Sequence, residues 1–147
     1  SKLTYKGDMQ SFLDETIDLL NKQKDTVYFS IIKADFKQAM TNCRYLFGKY
    51  AFRKCLPEHL QPNARQQLIN KALFTVWTIL TCKYPTSYFS IFKETDFIYT
   101  FANALNNNRL YNDAFSNRTN DRSILAFATQ TTEDLIKQYF SSQIITV

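Results

Sequence analysis

Glycine occurs at only two positions in this chain, Gly7 and Gly48, and proline at three, against thirteen phenylalanines and nine tyrosines. Tight hairpin turns and phosphate-cradling loops need residues that reach positive φ freely, and this chain has few to offer. Helices are the natural reading. At 147 residues the chain fits one domain that buries roughly 70% of the surface its unfolded form exposes, so neither disulfide nor metal is needed as a staple. The cysteines, Cys43, Cys55 and Cys82, are odd in number and form no Cys-x-x-Cys pair, which suits buried, reduced thiols and a cytoplasmic setting. The longest apolar run, Ala72 to Leu80, is interrupted by Thr75 and Thr78 and is about half the length a bilayer crossing demands, so no membrane association is expected. The chain opens on Ser1 and reads as an excised piece of a longer protein.

Asp8 is placed to cap a first helix, in which Met9, Phe12, Leu13, Thr16, Ile17 and Leu20 recur at three- and four-residue intervals. A second helix is expected from about Lys33 to Phe47, with Phe36, Ala39, Met40, Cys43 and Phe47 inward and Gly48 ending it. The β-branched and aromatic run Val27 to Ile32 reads as an extended lead-in to that helix. Pro57 and Pro62 mark the segment from Cys55 to Asn63 as a loop. From Ala64 to about Lys83 almost every face is apolar, which predicts a helix buried on most sides, the hub of the fold. Pro85 stops it. Thr95 then caps a helix through Phe97, Ile98, Phe101, Ala102 and Leu105 that ends near Asn106 to Asn108. A last long helix starts near Asn120 or Asp121 and turns Ile124, Leu125, Ala128, Leu135, Ile136 and Tyr139 inward.

Most catalytic chemistries are excluded by residue type alone. Nucleotide loops need clustered glycines, and Gly7 and Gly48 are far apart. His59 is the single histidine, in a loop beside Pro57, so paired-histidine zinc and nuclease sites are absent. Cys55 and His59 make a weak nucleophile pair. The carboxylate pairs Asp14 with Asp18 and Glu133 with Asp134 lie on expected solvent faces, where nothing apolar raises a pKa. No catalytic residue, metal or cofactor is expected, and no small-molecule substrate.

What remains is charge. Of the formal net charge of +5, the stretch from Phe36 to Lys93 carries the whole excess: Lys37, Arg44, Lys49, Arg53, Lys54, Arg65, Lys71, Lys83 and Lys93 oppose only Glu58. If the second helix, the turn after it and the hub helix are neighbours, these cations form one anion-binding face. Tyr45, Tyr50 and Phe52, interleaved with them, would add stacking. The plain alternative is a solvated surface, with the aromatics in the core. Asn70, inside an apolar segment, must find hydrogen-bond partners, and its simplest role is to tie the loop around Phe52 and Arg53 onto the hub helix.

Two short blocks sit in this basic stretch: Phe47-Gly48-Lys49-Tyr50-Ala51-Phe52-Arg53 and Leu68-Ile69-Asn70-Lys71-Ala72-Leu73-Phe74. Preceded by Tyr5-Lys6-Gly7-Asp8, Phe12-Leu13 and Phe36 with Ala39, they give a pattern that resembles the C-terminal helical half of the GmrSD-type family of modification-dependent restriction and phage-defence proteins. The resemblance covers roughly Tyr5 to Tyr139. It implies a parent protein whose ParB-like region, with an Asp-Gly-Gln-Gln-Arg motif, binds and hydrolyses nucleotide. In that family a histidine-rich nuclease domain often follows. This chain contains neither: it has no Asp-Gly pair, and Arg65-Gln66-Gln67 runs in the wrong order.

The expectation is therefore a single all-α domain over residues 1–147, an irregular bundle of about five or six helices around the buried Ala64 to Lys83 helix, and not an enzyme by itself. By the resemblance it packs on the rest of the parent polypeptide, the ParB-like region. DNA contact is expected through Arg44, Lys49, Arg53, Lys54, Arg65 and Lys71, with Phe52, Asn70 and Phe74 as structural residues of the family motif. The alternative is a protein–protein interaction domain with no nucleic-acid role.

Overall fold

The computed structural model describes residues 6, 8–90, 96–116 and 121–144. Among them the chain is an all-α bundle of seven helices with no strand. Two of the expected starting residues, Asp8 and Asp121, cap helices. Asp8 accepts from the backbone N–H of Gln10 at 3.1 Å to open α1, Met9–Lys22. The Ser11 hydroxyl and that N–H hold the Asp8 carboxyl below its usual range.

The second helix, α2, runs Thr26–Phe47, so the expected extended lead-in at Val27 to Ile32 is instead helical. Asp25 decides this, because its Oδ1 accepts from Val27 N at 2.8 Å and from Tyr28 N at 3.3 Å and supplies the first turn's missing acceptors. The helix disfavour of β-branched residues is only a few tenths of a kcal/mol each, roughly, and a cap offsets it. Gly48 ends α2 at φ 51°, a region that glycine enters without strain.

The expected Ala64 to Lys83 helix is shorter: α3 spans Lys71–Thr81. Its amino-terminal stretch is used otherwise, since Ile69 pairs with Arg53 in an isolated antiparallel bridge and Leu68 and Ile69 stand in solvent. Asn70 is thus the cap of α3 and not a mid-helix amide, with its Oδ1 accepting from Leu73 N at 3.0 Å. Two short helices, α4 at Thr86–Ser90 and α6 at Arg109–Ala114, add to those expected. Asn108 both follows α5, Asp96–Asn107, and caps α6 by accepting from Tyr111 N at 3.0 Å. The expected cap Thr95 lies outside the described residues. Asp121 opens α7, Arg122–Ile144, by accepting from Ser123 N at 2.9 Å.

The core is aromatic. Phe47, Trp77, Phe97 and Phe101 meet edge to face or tilted, with Phe47 and Trp77 centroids 4.6 Å apart. Phe89 and Phe140 continue this core towards α4 and α7. Leu73, Val76, Trp77 and Leu80 of α3 are all buried between α2 and α7. Two buried polar side chains bridge elements: Asn42 Nδ2 donates to the carbonyls of Thr81 at 2.8 Å and Tyr84 at 2.9 Å, and the Tyr111 and Thr132 hydroxyls pair at 2.5 Å. Burial pushes the Tyr111 phenol up.

One part of the molecule is not in this core. The stripe expected to turn inward on α1 is exposed at Leu13 and Ile17, and every residue from Asn21 to Lys37 is exposed. Among the described residues α1 has no extensive contact with any other element. It meets α2 at their corner, where Thr16, Leu19, Leu20, Gln23 and Tyr28 line a hollow of about 220 Å³. α1 and the first ten residues of α2 therefore form an arm. From Gln38 onward α2 is tied to α3, beginning with the bond from Gln38 Nε2 to Cys82 O at 2.7 Å.

Candidate nucleic-acid interface

The turn after α2 brings the expected motif residues together. After Gly48 the chain makes a short 3-10 turn, Gly48–Tyr50, and then places Phe52 at φ 60°, a left-handed conformation that is unfavourable by roughly 1–2 kcal/mol for a residue with a Cβ. Two contacts hold it there. Asn70 N donates to Phe52 O at 2.8 Å, and the Phe52 ring packs on Phe74 with centroids 4.8 Å apart. Asn70 Nδ2 also donates to Phe115 O at 2.7 Å, so one side chain caps α3 and fastens the end of α6. Phe52, Asn70 and Phe74 are one structural unit, but it is the Asn70 backbone N–H that reaches the Phe52 loop, while the side-chain amide is spent on Leu73 N and Phe115 O.

The six candidate cations separate into two kinds. Arg53 is half-buried and committed to backbone, with Nε donating to Lys49 O at 3.3 Å and an Nη donating to Gln67 O. It clamps the bridge strands around Phe52. Lys54 is half-buried as well, its Nζ hydrogen-bonded to the Ser116 hydroxyl. Desolvation lowers its pKa, partly offset by Asp113. Both are thus engaged by neighbouring protein groups.

Arg44, Lys49, Arg65 and Lys71 are exposed, and none has a carboxylate partner among the described residues. Arg44 and Lys49 share one cleft, of about 580 Å³, lined also by Phe47, Gly48, Tyr50, Ile98 and Tyr99. Its floor is apolar, since Phe47 and Ile98 are buried. Lys49 Nζ stands 5.1 Å from the Tyr50 ring centroid, a cation–π distance. Tyr99 was not among the candidates. Its signal in the sequence was an aromatic lying off the stripe of Phe97, Ile98, Phe101 and Leu105 on α5. Arg65 lies in the loop before α3 and Lys71 at its first turn; Lys37 and Lys83 are exposed elsewhere, and Lys93 is outside the described residues.

The groups with possible reactivity have structural surroundings. His59 Nδ1 accepts from Leu56 N at 3.0 Å and closes the 3-10 turn Pro57–Leu60. Burial pushes the Cys43 thiol up to about 12 and also raises Cys55 and Cys82, away from the thiolate a nucleophile requires. Glu133 pairs with Lys137 at 3.1 Å. Among the described residues no three His, Cys, Asp or Glu side chains gather to hold a metal ion, and no helix is long and apolar enough to cross a membrane.

Comparison with known protein families, with curated proteins and with solved structures finds no match. The reading of function therefore rests on the geometry and on the motif resemblance.

Proposed function

We propose that this chain is a non-catalytic helical domain of a restriction or phage-defence protein, working in the cytoplasm, that seats on the ParB-like nucleotide-binding region of the same protein through its arm. The observation that supports this is the arm's apolar surface. Leu13, Ile17, Leu19, Val27, Tyr28, Phe29, Ile31 and Ile32 are each between 40% and 64% exposed, while Phe36, expected to turn inward, is 48% exposed and meets the Phe74 ring of α3 at a centroid distance of 6.4 Å. At roughly 200 Å² per large side chain they present on the order of 800 Å², about what one partner contributes to a standard interface. A self-sufficient monomer rarely leaves more than a few hundred Å² of contiguous apolar surface open. In this reading α3 is the central helix of the body, as the near-complete burial of Leu73, Val76, Trp77 and Leu80 suits. The tie of Phe52 to Asn70 keeps that body rigid while the arm docks.

The test is capture of this chain by the tagged ParB-like region of the parent protein. Capture is expected, and it should be lost in an Ile17→Glu, Ile31→Glu variant that still folds. A ParB-like region that ignores the chain, or binds the charged variant equally well, would overturn the reading.

A second reading, contact with the DNA phosphate backbone, is favoured by the exposed cations Arg44, Lys49, Arg65 and Lys71, which no described carboxylate neutralises. It requires duplex binding that weakens steeply with salt and further on Arg65→Ala and Lys71→Ala. A domain that only docks protein shows no such binding.

A further inference from the structure

We propose that the cleft between the end of α2 and α5 binds a nucleoside phosphate, with the phosphate held by Arg44 and Lys49 and the base laid against Tyr50 or Tyr99. This deepens the nucleic-acid reading above by naming the ligand, and it does not depend on the docking of the arm.

The shape and lining of the cleft select the ligand class. A volume of about 580 Å³ lies within the range of small-molecule sites, roughly 300–1,000 Å³. Phe47 and Ile98 are almost wholly buried beneath the cleft, so the apolar surface open to a planar ring comes chiefly from the tyrosines at its rim. Tyr99 is 52% exposed, so a stacking surface stands open at the rim. Arg44 supplies a planar fork of donors that matches phosphate oxygens, and Lys49 a second positive charge. Neither cation is engaged by a carboxylate among the described residues, so both remain available.

Two further features narrow the choice. Gly48 lines the cleft, and nothing lies within 4 Å of where a Cβ would project, so a ligand can approach the backbone there. The cleft also sits at the carboxyl end of α2, where the helix dipole is negative. That end disfavours a bare anion. It tolerates a ligand whose charge is held out on the two cations while a ring bearing hydrogen-bond donors occupies the interior. A nucleoside phosphate has this division, whether as a free mononucleotide or as one unit of a single strand. A stacked, paired duplex keeps its bases out of reach.

The test is titration of the whole chain with dAMP, with a short single-stranded oligo-dA, with the same sequence as a duplex, and with inorganic phosphate. The salt is varied from about 50 mM to about 200 mM. Saturable binding of dAMP or of the single strand is expected, with inorganic phosphate far weaker than either. Binding should fall about tenfold or more in an Arg44→Ala, Lys49→Ala variant and in Lys49→Glu, and severalfold in Tyr50→Ala, Tyr99→Ala. These cation sites are exposed, and Tyr99→Ala alone provides a milder aromatic variant, so unchanged thermal melts should accompany the losses. If dAMP binds as tightly as the strand, the source is the free nucleotide; if only the strand binds, the site reads unpaired nucleic acid. No saturable binding of either up to about 1 mM, or binding indifferent to all these changes, overturns the proposal. Duplex binding that depends on Arg65 and Lys71 but not on the cleft would also overturn it, while leaving the backbone-contact reading intact.

Discussion

The backbone N–H of Asn70 donates to the carbonyl oxygen of Phe52 across 2.8 Å, and this bond joins the only non-glycine residue with positive φ among those described to the residue that starts the buried helix α3. The loop after α2 and the start of α3 are thereby one unit. A disturbance at either residue is felt at the other.

Substitutions at Asn70 should divide its roles. Asn70→Ala removes both the cap on Leu73 N and the bond to Phe115 O and should destabilise the domain by about 2–3 kcal/mol. Asn70→Ser keeps a capping oxygen but cannot reach Phe115, and about 1 kcal/mol is expected. Urea unfolding of the two variants checks the order; equal losses would refute the division.

At Phe52 the usual ranking of glycine and alanine should invert. Both Phe52→Ala and Phe52→Gly lose the packing on Phe74, but only glycine relieves the left-handed backbone, by about 1 kcal/mol. The glycine variant should therefore unfold at the higher denaturant concentration. An alanine variant as stable or more so would mean that the backbone relaxes.

Asn42 bridges α2 to the end of α3 through the carbonyls of Thr81 and Tyr84. Asn42→Ala strips a buried donor from both and should cost about 2–3 kcal/mol. Asn42→Asp puts a carboxylate against the same carbonyls, so it should be worse at neutral pH and recover part of the loss on acidification, when the acid can donate. Chemical unfolding at both pH values provides the measurement.

Cys43 makes stability fall in alkali. Its thiol titrates near 9.0 when free and at about 12 when folded. The unfolded chain therefore loses this proton first, and stability present below about pH 9 is lost as pH rises towards about 12, by up to about 4 kcal/mol. Lysines and tyrosines add their own slopes in this range, so the informative quantity is the difference: Cys43→Ala should flatten the profile above about pH 9. Parallel profiles for the two proteins would contradict the assignment.

The arm should be separable from the body. Ile17→Glu and Ile31→Glu alter exposed residues and should shift stability by no more than about 0.5 kcal/mol each. Among the described residues α1 makes no extensive contact with another element, and at 14 residues it is marginal alone. Its amides should exchange with deuterium far faster than those of α3 or α5. Protection of α1 equal to the core would require a contact that the arm does not make in isolation.

The all-α class was legible in the scarcity of glycine and in three- and four-residue apolar spacing, and the caps Asp8 and Asp121 were legible as residue types. The start of α3 was not. Leu68 and Ile69 continue the apolar pattern seamlessly, and only the pairing of Ile69 with Arg53, a contact between distant segments, removes them from the helix. Val27 to Ile32 is helical for a related reason: the Asp25 cap before it outweighs the local β preference of the run. Of the cations, sequence position could not tell Arg53, whose donors meet backbone carbonyls, from Arg44, which has no carboxylate partner among the described residues. Aromatics at Tyr50 and Phe52 were noticed because they interleave with charge, whereas Tyr99 reaches the cleft from another helix.

α2 belongs to both halves of the molecule. Its 22 residues run unbroken for about 33 Å, from Thr26 at the corner within the arm to Phe47 beneath the cleft. A shaft of this kind has no joint to absorb a tilt. It fixes the distance and direction between its two ends, so whatever settles on the arm and whatever enters the cleft are held on one ruler.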